Sequence, residues 1–388
     1  MLALLFWTSW WILCYTYLIY GGILWVLTRG KKAGANKNGA DNLLPFTVVI
    51  AAYNEEDFIE EKIQNTLSLN YPKEYLKVLV VTDGSSDLTP ELARKHKGIR
   101  VFHEPERRGK IAAVHRIMKY VDTPITVYTD ANTLLNDEAL LEIARSFQNP
   151  EVGVVSGEKK ILIPEEADAS TAGEGLYWKY ESRLKRMDSE LYSAVGAAGE
   201  LFAIRTDLYE AVPADTIIED FYMTMRIALK GYKIAYTPQA YAQEEGSADV
   251  GEEMKRKVRI AAGAFQAMKR LGYFLSPAKF PLLSFQYVSH RVMRWTAAPV
   301  ALVILLISHI LLAINEGGWY SLSLLPHLAF YGLAFMGYQL EKQKLKWKVF
   351  FVPFYFLMMN YCMFLGFAKY LRGKQQVTWE RAKRKMAA

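Results

Sequence analysis

FTVVIAAYNEE, residues 46–56, is the stretch that decides the fold. From Phe46 to Ala51 every residue is apolar or β-branched, and the run gives way at once to Tyr53-Asn54-Glu55-Glu56, after which a helical pattern continues to Leu69. A strand with one wet face would alternate polar and apolar residues, so an unbroken run predicts a strand buried on both sides. The same unit recurs downstream. Residues 76–81 form a second apolar run that ends at Thr82-Asp83-Gly84-Ser85-Ser86-Asp87, with a helical pattern after Leu88. Residues 99–102 give a short third strand, and residues 125–128 a fourth that ends at Thr129-Asp130-Ala131-Asn132. Strands alternating with helices predict an α/β domain whose mainly parallel sheet is covered by helices on both faces. In such sheets ligands bind at the carboxyl ends of the strands. Polar clusters around Asn54, Asp83 and Asp130 fall at those ends.

Outward from this domain the composition changes. The chain has 388 residues, 52% of them hydrophobic and 13% aromatic, with 47 Lys and Arg against 40 Asp and Glu. These proportions exclude disorder, a disulfide scaffold and a fibrous repeat. A mean hydropathy near zero hides a strong segregation. Residues 1–28 contain no charged side chain, and Arg29, Lys31 and Lys32 follow them. That run is longer than the roughly 20 residues a helix needs to cross a bilayer, and it lacks the basic start of a cleaved signal peptide. Three further uncharged runs, residues 295–315, 317–340 and 349–368, approach membrane length. The expected organisation is a transmembrane helix at 1–28, a charged water-soluble domain at 43–275, an interfacial helix at 276–296, membrane helices at 297–368 and a basic tail at 369–388.

The basic residues after the first helix place the charged domain on the cytoplasmic side of a bacterial-type plasma or inner membrane, with the amino terminus outside. Lys369, Arg372, Lys374, Arg381, Lys383, Arg384 and Lys385 argue that the tail is inside as well. One carboxyl-side run then fails to cross, and residues 349–368, which contain Pro353 and Asn360, are the candidate. Membrane lipids are thus an expected partner, and basic residues beside membrane segments account for the net charge of +7 without nucleic acid. The two cysteines, Cys14 and Cys362, both lie in apolar runs and suggest neither a disulfide nor a metal site.

Taken singly, each polar cluster is an ordinary turn or helix cap. Taken in order behind a membrane anchor, Ala52-Tyr53-Asn54-Glu55, Asp83-Gly84-Ser85-Ser86-Asp87, Arg108-Gly109-Lys110, Thr129-Asp130-Ala131-Asn132 and Ile218-Glu219-Asp220 resemble the membrane-bound family-2 glycosyltransferases of GT-A fold. The nearest group is the poly-N-acetylglucosamine and hyaluronan synthase-like set. The resemblance implies an inverting β-glycosyltransferase that moves a sugar from a UDP-sugar to a growing exopolysaccharide, possibly coupled to its translocation, with Mg2+ or Mn2+ as cofactor. A single addition to a lipid acceptor is the alternative. A nucleotide-sugar-binding subunit without catalysis is a third reading, motivated by Asn132.

The resemblance also implies roles for single residues. Asp83 is placed against the uracil, Glu55 near the ribose, and Ala52 and Tyr53 line the same nucleotide site. Lys110 serves the base or phosphate side, or is simply a solvated helix residue. Asp130 and Asn132 stand where the family has an Asp-any-Asp pair on a divalent cation; Asn132 either completes the metal set at some loss of charge or contacts the sugar. Glu219 and Asp220 match the acidic pair whose aspartate is the general base, and could equally cap the following helix. Gly199 and Glu200, in the small-residue loop Gly196-Ala197-Ala198-Gly199-Glu200, shape an acceptor site for which Trp178 offers an aromatic platform. Arg256 and Arg259 align with a motif that holds the leaving diphosphate, although Ile260 stands where that motif has tryptophan, and a basic surface stripe would look the same. Trp379, in Val377-Thr378-Trp379-Glu380-Arg381, looks like a gating segment over bound nucleotide.

Overall fold

The computed structural model describes residues 1–30, 43–162, 169–246, 249–342 and 348–373. Its centre is an eight-stranded sheet of β1 (Phe46–Ala52), β2 (Leu76–Asp83), β3 (Ile99–Glu104), β4 (Ile125–Asp130), β5 (Leu134–Leu135), β6 (Val152–Leu162), β7 (Leu201–Arg205) and β8 (Lys233–Glu245). The strand order is β3-β2-β1-β4-β7-β6-β8-β5. The first four strands are mutually parallel, as their buried apolar runs predict. The second half departs from the expected parallel sheet. β7 lies antiparallel between β4 and β6, and β5 antiparallel on β8, so the whole is a mixed sheet.

All seven residues of β1 are buried, and the period of two along the strand divides them between two cores. Phe46, Val48 and Ile50 pack with Ile59 and Ile63 of one covering helix and Leu140 and Ile143 of another. Val49 and Ala51 face the other layer, with Ile111, Val114 and Ile117 of Lys110–Met118 and Phe221 and Met225 of Glu219–Leu229. Register then fixes the site. Ala52 pairs with Thr82, and Ala51 with Asp130, so the polar clusters after β1, β2 and β4 emerge at one edge.

Among the described residues, three helices are long and apolar enough to cross a membrane: Leu2–Thr28, Ala297–Asn315 and Val349–Leu371. They leave large apolar side chains uncovered, among them Leu4, Leu18, Val303, Ile314 and Val349, as a lipid-facing surface requires. The last of them runs on through Pro353 and Asn360 as one helix, Lys348–Leu371. The apolar run at 317–340 forms the helix Gly318–Lys342, which holds Pro326 and His327 and does not reach the same apolarity.

The stretch expected to lie flat in the interface packs closely on the domain. Helix Pro281–Tyr287, a wider π turn at Val288–Val292 and the short helix Met293–Trp295 pack under the sheet, with Leu283 and Tyr287 in the core. Its charged residues are buried against the helix Ala169–Leu191. His290 sits between Asp188 and Glu181, while Arg291 and Arg294 both pair with Glu181 at 2.7 and 2.9 Å. The first helix joins the same network. It too has a π turn, Tyr15–Ile19, where Tyr15 meets Ser289 at 2.8 Å; one turn later Tyr20 donates to Asp188. A π turn adds a residue to the helical repeat and re-aims the side chains around it, which brings these tyrosines onto the domain.

Candidate functional site

At the ends of β1 and β2 the backbone is held by short polar contacts. Asn54 has the positive φ of 53°, which asparagine tolerates, and its Oδ1 accepts from the Ser86 amide at 2.9 Å while its own amide donates to Ser85 Oγ. Glu55 is buried beside them, its amide donating to Thr89 Oγ1 at 2.8 Å. Asp83, 1% exposed, accepts from the backbone amides of Arg108 and Gly109 and faces Arg116 at 3.3 Å. Its carboxylate therefore anchors the loop that presents Lys110. Gly84 makes this packing possible, because a Cβ there would lie 2.5 Å from that of Arg107. The Arg107 guanidinium stacks 3.8 Å above the Tyr53 ring and roofs the crevice at the end of Ala52.

Gly109, at φ 94°, turns the chain into the helix Lys110–Met118 and aims the first residue of that helix inward. Lys110 Nζ donates to Asp130 Oδ1 at 2.8 Å and pairs with Glu219 Oε1 at 3.2 Å. Burial alone would lower the lysine's pKa, but Asp130 and Glu219 outweigh it and hold the ammonium well above its usual range. Glu219 and Asp220 open the helix Glu219–Leu229 from its first turn rather than from the capping position, which Ile218 occupies. Anions are favoured there by the helix dipole, yet Asp220 is pushed up to about 7, by burial first and by the neighbouring Glu219 second, with Lys110 opposing. The small-residue loop closes over this group. A Cβ on Gly199 would stand 3.2 Å from Asp220 Oδ2 and 3.4 Å from Lys110 Nζ, so glycine keeps the space above the carboxylate open.

A cavity of about 440 Å3 opens beside Asp220. Trp178, Glu200, Arg256 and Ile260 line it, as do Tyr17 of the first helix and Val352, Phe356 and Asn360 of Lys348–Leu371. The expected acceptor residues are thus brought together with the expected base. Arg256 is drawn back by Glu253 at 2.8 Å and Glu244 at 3.5 Å. Arg259 does not line the cavity and makes no ion pair or hydrogen bond among the described residues. Asn132 follows Asp130 at the end of β4, in the turn before β5. Trp379 and the rest of the expected gating segment lie outside the described residues.

The sequence of Glycosyl transferase family 2 matches residues 47–212, which hold β1 to β7 and the cluster up to Glu200. The poly-beta-1,6-N-acetyl-D-glucosamine synthase of Staphylococcus aureus is 29% identical over 281 residues, 69% of this chain. The chain carries a family 2 glycosyltransferase domain. The Staphylococcus epidermidis synthase of the same name is 26% identical over 268 residues. The match spans 66% of the Staphylococcus aureus protein and 63% of the Staphylococcus epidermidis one. Among solved structures, a mannosyltransferase from Pyrobaculum calidifontis, in complex with GDP-Man and Mn2+, superposes with a TM-score of 0.72 at 22% identity, covering 96% of this chain and 100% of that one. This likeness shows the GT-A fold.

Several residues of the glycosyltransferase domain escape a reading by motif. Lys62, 0% exposed beneath Asp130, donates to Thr129 Oγ1 at 2.8 Å and to the Thr133 carbonyl at 2.7 Å, holding the turn that carries Asp130 and Asn132. Burial pushes its pKa down to about 7, with Asp130 opposing. Lys159 pairs with Glu200 at 2.7 Å and also with Glu244, and keeps the Glu200 carboxyl below its usual range against the effect of burial. A lysine on the apolar face of Ile59–Ser68, in register with Ile59, Ile63 and Thr66, was the available signal for the first. Lys159 gave none, because it lies among alternating residues at the end of β6.

Proposed function

We propose that the chain is a membrane-embedded inverting β-glycosyltransferase that uses a UDP-sugar donor and extends a polysaccharide, its catalytic domain in the cytoplasm. The observation that carries this reading is the meeting of Lys110, Asp130, Glu219 and Asp220 beside Gly199, at the mouth of a cavity walled by apolar helices. Three carboxylates alone would repel a diphosphate. Lys110 offsets them and gives the leaving group a fixed positive partner.

An acceptor hydroxyl entering by the cavity meets Asp220 under the Gly199 loop. A carboxylate pushed up to about 7 is a better proton acceptor than an ordinary aspartate and can still be ionised near neutral pH. The hydroxyl loses its proton to Asp220 as it attacks the anomeric carbon, and the bond to the departing diphosphate breaks on the opposite face. One such displacement inverts the anomeric centre, so no second carboxylate nucleophile is needed. Trp178 and Glu200, lining the same cavity, suit the apolar face and the hydroxyls of an acceptor sugar.

The Asp130 carboxylate and the Asn132 amide are hard oxygen donors, which fits Mg2+ or Mn2+. Among the described residues no group of three His, Cys, Asp or Glu stands ready to hold a metal, so the donor's phosphates would complete such a site. A bound cation would neutralise the diphosphate as it leaves. The mannosyltransferase of like fold is solved with Mn2+, and the Staphylococcus relatives are synthases of a β-linked polysaccharide; both support the reading.

Purified protein given a panel of UDP-hexoses with Mg2+ or Mn2+ is expected to release UDP with at least one donor and to build a product that lengthens with time. A product fixed at one added sugar would favour the second reading, transfer to a lipid acceptor. The apolar wall of Val352 and Phe356 is the observation behind that alternative.

A further inference from the structure

The cavity beside Asp220 contains a lysine that neither the motifs nor the transfer chemistry accounts for. Lys185, on the helix Ala169–Leu191, is 4% exposed and lines the cavity. Its ammonium lies 5.5 Å from the Trp178 ring centre and 5.8 Å from that of Tyr236, and it makes no hydrogen bond or ion pair among the described residues. Each carboxylate nearby is already engaged. Glu181 is taken by Arg291, Arg294 and His290, Glu200 by Lys159, and Glu158 by the hydroxyls of Ser182 and Tyr236. Burying a cation without an ion-pair partner costs several kcal/mol in general; the Trp178 and Tyr236 faces offset part of that cost, and an anion seated on the ammonium would offset more. Burial lowers the pKa of Lys185, with Glu181 opposing, and an arriving anion would reverse that effect.

The rest of the cavity says what else that ligand carries. Val352, Phe356 and Met359 of Lys348–Leu371 form an apolar wall, and this helix is of membrane length. A neutral sugar chain, the acceptor of the first reading, would leave both the wall and the ammonium unused, so the two together favour the second reading, transfer to a lipid acceptor. We propose that the cavity binds an amphiphilic acceptor whose anionic group, a phosphate or carboxylate, seats on Lys185 while its apolar part lies along Val352, Phe356 and Met359. Lys185 is then the residue that selects anionic over neutral acceptors. The proposal rests on the cavity being the acceptor site of that second reading, and it does not depend on the identity of the donor.

Binding without any nucleotide sugar therefore tests it apart from the transfer reaction. The full chain, purified in a neutral detergent, is titrated with dodecyl phosphate, with dodecyl β-glucoside and with a tail-less glucuronate oligomer. Dodecyl phosphate is expected to bind about tenfold or more tightly than the glucoside, a preference that Lys185→Gln erases and Lys185→Arg largely keeps. Lys185→Gln removes an unpaired buried charge and does not threaten the fold. Equal binding of phosphate and glucoside by the unaltered protein, or an undiminished preference in Lys185→Gln, overturns the proposal. Binding of the tail-less glucuronate as tight as that of dodecyl phosphate overturns the part assigned to the apolar wall.

Discussion

The Lys110 ammonium donates a 2.8 Å hydrogen bond to Asp130, joining the first residue of a helix to the last residue of β4. Neither position is adjacent to the other in the chain, and Asp83 makes the meeting possible by fixing the backbone of Arg108 and Gly109 just ahead of Lys110. If this pair prepares the diphosphate subsite, Lys110→Gln leaves Asp130 and Glu219 uncompensated. The donor KM is expected to rise on the order of tenfold to a hundredfold, the scale of a lost charge-assisted contact. Donor titrations of the initial rate check it; an unchanged KM would place Lys110 outside the subsite.

As the proposed base, Asp220 sets the pH dependence. Only the ionised carboxylate accepts a proton, so kcat/KM is expected to rise through about pH 7 and level off above it. Glu219 raises the pKa of Asp220 and Lys110 lowers it, which makes the signs of two substitutions opposite. Glu219→Gln is expected to move the acidic limb to lower pH, and Lys110→Gln to higher pH. Rate profiles from pH 5 to 9 decide this, and shifts in the same direction would contradict the assignment.

Lys62 affects stability rather than chemistry. Its folded pKa, near 7, is below that of an exposed lysine, so between pH 7 and about 10 the unfolded chain binds more protons than the folded one. Its contribution to stability therefore grows as pH rises across that window. Compared with the unaltered protein, Lys62→Met is expected to show a flatter dependence of unfolding temperature on pH between 7 and 9. Parallel slopes would show that Lys62 is not held neutral by burial.

Two glycines of one loop are expected to separate folding from activity. Gly196 has φ 78°, and a Cβ there would stand 2.2 Å from the Phe221 ring, so Gly196→Ala is expected to lower the unfolding temperature by several degrees. A Cβ on Gly199 meets Asp220 at 3.2 Å without a positive φ, so Gly199→Ala is expected to slow transfer while leaving the unfolding temperature within a degree or two. Thermal melts beside rate assays check both; an unstable Gly199→Ala protein would contradict the distinction.

The parallel half of the domain was legible because β1, β4 and all of β2 after Lys77 are buried and read as runs of apolar and β-branched residues, and because Asp83, Asp130 and Asp220 recur at the ends of elements. β7 was not legible. Its five residues, Leu201–Arg205, carry no signal of direction, which is set by pairing with β4 and β6. The stretch containing His290, Arg291 and Arg294 reads locally as amphipathic, and only the distant Glu181 and Asp188 explain why its charges are buried. Lys185 was hidden for a related reason: a lysine in a charged helix looks solvated until its neighbours prove to be paired elsewhere.

The most direct test of the account is the rate of UDP release by the purified protein, with and without Asp220→Asn, at saturating donor, divalent cation and acceptor. Asparagine keeps the shape of the side chain but cannot take a proton. The rate is expected to fall by roughly 10²-fold to 10⁴-fold with donor binding retained, as loss of a general base requires. An Asp220→Asn protein that releases UDP at the unaltered rate would contradict the account.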